Sequence, residues 1–246
     1  MVVSAFKTKS EYIGNKFGLP QAVFIDNFVT AFAGEKFFIR FANSTILTVG
    51  SVALSLLIAC LAAYAFARME FRGKRLIFNA LLSLMVIPPV VVLVPLFVSM
   101  VKLKMVNTYY GTTLIYVGLL LPFSTYLMTN FFRTVPYEIL DAARIDGCSN
   151  LGILRRIVMP LSAPAIITLV VVNALWVWNE LLIALVFMQK DDLKTLMVGI
   201  AALRSKHYVD IPATMAGMLI ATVPIVVLYM FGQRYFIRGL TAGAVK

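Results

Sequence analysis

"DAARIDGCSNLGILRRIVMPLS", residues 141–162, is the stretch that decides how this chain is read. It is charged and carries the signals of short helices, yet charge-free apolar runs flank it at 105–132 and 157–179. Just upstream, "TVPYEILDAARIDG" (134–147) has both a helix start and a helix stop. Thr134 is placed to cap, Pro136 suits the first turn, and Glu138 sits where the positive helix end favours an acid. Gly147 suits the left-handed residue that follows a helix. Ser149 or Asn150 can cap a second short helix over 151–159, ended by Pro160. Two short helices meeting at a glycine make a knuckle. Ala142 and Ala143 give it a thin face that lets another surface approach closely. Leu140 and Ile145 flank that face, and Asp141 and Arg144 can pair across three residues. The alternative is an interfacial helix lying on lipid headgroups, which usually carries more lysine on its polar face. A surface that docks a partner protein fits the residues better.

The rest of the chain shows what the knuckle is set in. Of 246 residues, 61% are hydrophobic and 13% charged, about half the usual charged share of a globular domain. Mean hydropathy is +0.91. Five charge-free runs, 41–67, 76–101, 105–132, 157–179 and 211–233, each exceed the ~20 residues that cross ~30 Å of hydrocarbon. The fourth continues past Glu180 to Gln189. Open sheet edges do not survive in lipid, so the expected fold is all-α: a polytopic membrane helix bundle with five spans. The apolar stretch of "MVVSAFKTKS" (1–10) is too short for a signal peptide. Net charge is +11, but the basic residues sit at the ends of the apolar runs, which points to membrane topology and away from nucleic acid. Cys60 and Cys148 suggest no disulfide or metal site, and a single His207 leaves metal chemistry little to work with.

Five spans place the termini on opposite sides. With the C-terminus cytoplasmic, each side holds eleven Lys and Arg; without the 40-residue N-terminal tail the inside leads by eleven to six. The dense "RMEFRGKR" loop (68–75) also favours that orientation. A basic tail ahead of the first span would then have to cross the membrane. Its "FKTKSEYIGNKFGLPQAVFIDNF" (6–28) reads as an irregular, aromatic-bearing loop. A further helix before residue 1, with residues 1–40 as an outer segment behind it and 41–246 as the membrane domain, would resolve the problem.

Inside the spans, Pro88, Pro89 and Pro95 in the second, Pro122 in the third and Pro224 in the fifth each remove a backbone hydrogen bond. They fit bent helices around a pathway, or simply the higher frequency of proline in membrane helices. The fourth span carries "NALWVWNELL" (173–182). Asn173, Trp176, Asn179 and Glu180 are spaced to share one helical face. Indole over a sugar ring, with amide and carboxylate hydrogen bonds, would suit a polyol ligand in a solute path. Equally, Glu180 can sit at the outer interface with Trp176 and Trp178 as an aromatic belt.

The knuckle resembles the cytoplasmic loop of ABC importer permease subunits. That pattern is Glu-Ala-Ala, three residues, Gly, nine residues, Ile, one residue, Leu-Pro. Here it stands as Asp141-Ala142-Ala143, Gly147, Ile157 and Met159-Pro160, with Asp for Glu and Met for Leu. "MVIPPVVVLVPLF" (85–97), "NTYYGTTLIY" (107–116), the 121–147 stretch, "WNELLIAL" (178–185) and "RYFIRGLTAGAVK" (234–246) are similar to the maltose-type carbohydrate permeases, in the smaller of their two partner subunits. The likeness runs from about Asn43 to Lys246. It implies six helices for a family member, and a plasma-membrane importer of two permeases, two ATPase subunits and an extracellular solute-binding protein. The coupling loop, 133–161, would engage the ATPase through Glu138, Asp141, Ala142, Ala143, Gly147, Ile157 and Pro160. ATP and Mg would be bound by those partners. The one Gly-Lys pair here, Gly73-Lys74, has Arg68 where a phosphate loop needs glycine. The rivals are the same machine importing an amino acid or glycerol phosphate, a passive channel, or a membrane-embedded enzyme. No HExxH, GxSxG or paired intramembrane carboxylate favours the last.

Overall fold

The computed structural model describes residues 1–33, 36–203 and 210–242, and every regular element among them is helical. In chain order these are α1 (Val2–Ala5), α2 (Lys9–Gly14), α3 (Asp26–Ala33), α4 (Phe37–Arg68), α5 (Lys74–Ser83), α6 (Pro89–Lys102), α7 (Tyr109–Thr134) and α8 (Tyr137–Ile145). There follow α9 (Asn150–Ile153), α10 (Met159–Leu161), α11 (Ala163–Asn179), α12 (Leu182–Phe187), α13 (Leu196–Leu203) and α14 (Ile211–Ala242).

Three stretches among the described residues are long and apolar enough to cross a membrane unbroken: α4, α7 and Ile211–Met230 of α14. The other two expected spans are bent pairs, so five is reached when each pair counts as one span. Lys74–Val86 meets Pro89–Lys102 at 103°, and Asn150–Leu161 meets Ala163–Asn179 at 80°. At the first bend, Pro88 and Pro89 follow one another, so two successive backbone donors are missing and Ile87 adopts an extended conformation. Single prolines do less: Pro122 and Pro224 lie inside continuous helices. The second bend falls at Ser162, not at Pro160 as the sequence suggested. A π-helical turn over Leu154–Val158 carries the chain past Pro160, the Met159 amide reaching back to the Leu154 carbonyl.

The chain packs as two compact units. Unit 1 is Met1–Thr48, Ser99–Thr112 and Trp176–Leu228; unit 2 is Val49–Val98, Thr113–Leu175 and Tyr229–Lys246.

In unit 2, α4 presents Ser51, Ser55, Ala59, Ala63 and Ala67 four residues apart, all buried. Small side chains on one stripe let helices approach closely where lipid supplies no hydrophobic drive. Cys60, Ala63, Tyr64 and Ala67 pack with Met128 and Phe132 of α7, and the same core takes in Leu140, Ala143, Ile153, Leu154, Val158 and Leu169.

Unit 1 is held by polar staples. Asn43 donates to the carbonyls of Asp192 (2.8 Å) and Lys194 (3.0 Å) and accepts from the Tyr109 hydroxyl (2.6 Å). Asn107 accepts from the Gln189 and Lys190 amides at 2.7 and 2.9 Å. Together they fix the loop between α12 and α13. The 6–28 stretch, expected to be irregular, contains α2 and the start of α3. Asn27, buried, donates to the carbonyls of Ala5 and Lys7, both at 2.8 Å, which folds this segment back on itself.

Candidate functional site

The knuckle belongs wholly to unit 2. Pro136 occupies the N-cap of α8 with extended backbone, and Glu138 lies in the first turn. Thr134 does not cap it: the hydroxyl donates to the Phe131 carbonyl at 2.8 Å, still within α7. Helix α8 ends in a Schellman turn. The Cys148 amide bonds the Ala143 carbonyl (2.9 Å), the Gly147 amide bonds Arg144 (3.0 Å), and Gly147 has φ +77°. Ser149 then caps α9, accepting from the Gly152 amide at 3.2 Å.

Burial sorts the residues of the loop by direction. Leu140 and Ala143 point into the unit's own core, as do Ile153, Leu154 and Val158. Glu138, Asp141, Ala142 and Pro160 are exposed, Ile157 is half-buried, and Ile145 is 86% exposed. Asp141 and Arg144 pair at 2.8 Å across one turn. The expected thin face of two alanines is thus divided, because neighbours on a helix point about 100° apart: Ala143 seats the helix and Ala142 faces out. Ile145 faces out as well, while its supposed counterpart Leu140 is fully buried.

This loop is anchored by one residue that the sequence did not mark as structural. Arg68, the last residue of α4, is buried. It donates through Nε to the Phe132 carbonyl (3.0 Å) and through an Nη to the Val135 carbonyl, and its guanidinium lies 4.4 Å from the centre of the Tyr137 ring. Phe132 is in the last turn of α7, where carbonyls lack intrahelical partners. A buried helix end just before Pro136 needs a donor from elsewhere, and that need is the signal that could have singled out Arg68.

The residues of the fourth run are placed differently. Asn173, in unit 2, is fully buried and donates to the Ser124 hydroxyl at 2.9 Å. The other three are in unit 1. Trp176 is 38% exposed and Asn179 is exposed. Glu180 is half-buried and lies beyond the end of α11. Its carboxylate accepts from the Ile183 amide (2.9 and 3.0 Å) and the Ala184 amide (3.1 Å), capping α12. The four therefore do not form one polar face: the helix stops at Asn179, and Glu180 turns to the unpaired donors of the next helix start. Trp178 is not in an exposed belt. It is buried against Phe41 (ring centres 5.5 Å apart), and its indole N–H donates to the Ala221 carbonyl at 3.0 Å.

The described residues thus combine apolar, span-length helices with a capped knuckle that leaves Glu138, Asp141 and Arg144 exposed. Residues 36–242 match the family described as "Binding-protein-dependent transport system inner membrane component". The chain belongs to this family. It is 39% identical over 247 residues to an ABC transporter permease protein of Caldicellulosiruptor sp., covering 100% of this chain and 90% of the relative. It is 34% identical to the arabinooligosaccharides transport system permease protein of Halalkalibacterium halodurans and to the melibiose/raffinose/stachyose import permease protein of Bacillus subtilis. Each alignment covers 100% of this chain and 89% of the relative. Among solved structures, a bacterial ABC transporter that imports the acidic polysaccharide alginate superposes with a TM-score of 0.81, covering 96% of this chain and 88% of that one. At 23% identity that likeness speaks for the fold. As an inner-membrane component of a binding-protein-dependent importer, this permease resides in the cell membrane and is a transport subunit, not an enzyme.

Proposed function

We propose that the permease imports a sugar or oligosaccharide in an importer of two permeases and two ATPase subunits, its own 133–161 coupling loop seated in a cleft of one ATPase at the cytoplasmic face. The observation that carries this reading is the division of the knuckle. Leu140, Ala143, Ile153, Leu154 and Val158 are locked into unit 2, while Glu138, Asp141, Ala142 and Ile145 form an ordered outward surface. A rigid knuckle transmits a push; a loose one would absorb it. Arg68 fixes it to the ends of α4 and α7, so movement of the knuckle moves those spans. ATP and Mg are the partners' ligands in this scheme, and the C-terminus is on the cytoplasmic side. The sugar assignment is supported by the oligosaccharide systems named for several relatives. Trp176 and Asn179 are the path residues that keep exposed surface, with Asn173 holding the helix that presents them and Glu180 fixing the start of the helix that follows.

The test is the turn at Gly147. Nothing lies within 4 Å of a Cβ built there, so only its φ of +77° restricts the side chain. Gly147→Val places a β-branched residue in the left-handed region, at about 1–3 kcal/mol of strain. Uptake by the reconstituted importer should fall at least severalfold while the subunit still inserts and assembles. Gly147→Asn, a residue that tolerates this conformation, should restore most of it. Equal uptake by both variants and the parent protein would remove the knuckle from the mechanism.

A further inference from the structure

A second polar feature of unit 2 has no part in the coupling scheme. Where α4 ends and α5 begins, a cavity of about 780 Å³ opens between Phe66, Glu70, Phe71, Lys74, Arg75, Phe78 and neighbouring residues, with Arg133 of α7 closing one wall. It holds three cations against one carboxylate. Lys74 is taken up by Glu70 at 2.9 Å and by the Met69 carbonyl at 2.8 Å. Among the described residues, no carboxylate lies within ion-pair distance of Arg75 or Arg133. Arg133 lies over the face of Phe78, 5.8 Å from the ring centre. Phe66 packs against Phe71 and Phe78, with ring centres 5.9 and 5.1 Å away, so the lining combines aromatic rings with basic groups.

The surroundings say what kind of anion would enter. Helix α5 buries none of its residues, and Leu76, on the cavity wall, is 75% exposed. The cavity lies at the level where charge-free spans end, beside apolar side chains that the protein leaves uncovered. A soluble anion would use the two arginines and leave the exposed Leu76 uncovered. A molecule with a phosphate at one end and hydrocarbon at the other meets the arginines and also covers Leu76. Basic pockets between the ends of membrane helices suit anionic lipid headgroups in this way.

We propose that this cavity binds the headgroup of an anionic phospholipid, with Arg75 and Arg133 on the phosphate and acyl chain along the exposed apolar side of α5. Bound there, the lipid ties the start of α5 to the end of α7, the helix that leads directly into the knuckle. Lipid composition would then tune the importer without touching the solute path.

The test uses the complete importer, stripped of lipid and incubated with dioleoyl phosphatidylglycerol or dioleoyl phosphatidylcholine, with retained lipid counted by native mass spectrometry. The parent complex should retain phosphatidylglycerol in preference to phosphatidylcholine. Arg75→Gln with Arg133→Gln should reduce that preference about tenfold. Arg75→Lys with Arg133→Lys should keep most of it. Arg72→Gln, a change in the same basic loop but off the cavity wall, should leave it unchanged. Inorganic phosphate should fail to displace the lipid. An undiminished preference in the double glutamine variant, an equal loss in Arg72→Gln, or displacement by phosphate alone would each overturn the proposal, the last in favour of a site for a soluble anion.

Discussion

The 137–162 knuckle and the 173–184 stretch both set polar residues against apolar surroundings, but they direct them oppositely. In the knuckle Leu140, Ala143, Ile153, Leu154 and Val158 go inward, while Glu138, Asp141 and Arg144 are left at the surface beside Ile139 and Ile145, and the one ion pair joins near neighbours. In the 173–184 stretch most polar groups are taken up by the chain itself: Asn173 by Ser124, Trp178 by the Ala221 carbonyl, Glu180 by two backbone amides. A polar group buried in a membrane protein must be satisfied, so its presence says little about a ligand until its partner is known. An ordered polar surface with no internal task is better evidence for a partner. Substitutions should therefore separate function from stability in the knuckle and join them in the 173–184 stretch.

The sharpest break of that contrast is within the knuckle, at two adjacent alanines. Ala142→Leu adds bulk to the exposed side of α8, so it should leave thermal stability within about 0.5 kcal/mol and cut coupled uptake the most. Ala143→Leu forces extra methylenes into the core around Leu140 and Leu154 and should destabilise by about 1–3 kcal/mol. Thermal unfolding of the purified subunit, paired with uptake in vesicles, reads both. If Ala142→Leu transports normally, the outward face docks nothing.

At the other pole, the Asn173–Ser124 bond should behave as structure. A double-mutant cycle with Asn173→Leu and Ser124→Ala should give a coupling of about 0.6 kcal/mol, and at most about 1.7 kcal/mol, as buried hydrogen bonds between membrane helices do. Solute preference should stay unchanged in each single variant. A shift of preference with no coupling energy would return Asn173 to the solute path.

The same contrast explains what the sequence could disclose. The spans were legible because apolar runs of more than twenty residues have one physical reading. The knuckle was legible because caps and left-handed turns are local: Ser149, Gly147 and Glu138 act within a few residues of their own positions. Thr134 was misread because a hydroxyl at a helix end has two nearby choices, and here it took the Phe131 carbonyl. The single face through 173, 176, 179 and 180 assumed an unbroken helix, and Glu180 marks a new helix start that no spacing reveals. Asn43 and Asn107 were not legible as anchors at all, and for Arg68 the sequence showed only that the helix end before Pro136 needs a donor. Their partners lie at least 64 residues away in the chain. The consecutive Pro88 and Pro89 announced a bend, but not one of 103°.

The smallest expected effect concerns the loop between α12 and α13, which combines the two modes. Asn43 holds it with partly buried hydrogen bonds, and Lys36 holds it with exposed ion pairs to Asp191 and Asp192, both at 2.7 Å. The Lys36 hydrogen bond, followed by that of Lys194, keeps the Asp191 carboxyl well below the usual carboxylate range. In turn the Asp191 and Asp192 hydrogen bonds raise Lys36 above 10.5. A depressed acid stabilises above its unfolded pKa of about 3.9, and that support is lost as pH falls through the lower folded value. A raised ammonium stabilises below its unfolded pKa, and its support is lost as pH rises through the higher folded value. Both contributions are therefore complete between about pH 5 and 9. Amide exchange of residues 188–195, corrected for its intrinsic pH dependence, should show flat protection across that window. Asp191→Asn should reduce the protection slightly, because exposed pairs contribute little, and 1 M salt should mimic the change. Asn43→Ala should reduce it more. A protection that climbs or falls between pH 5 and 9, or that Asp191→Asn abolishes while Asn43→Ala spares it, would make the exposed ion pairs, and not the partly buried amide, the anchor of this loop.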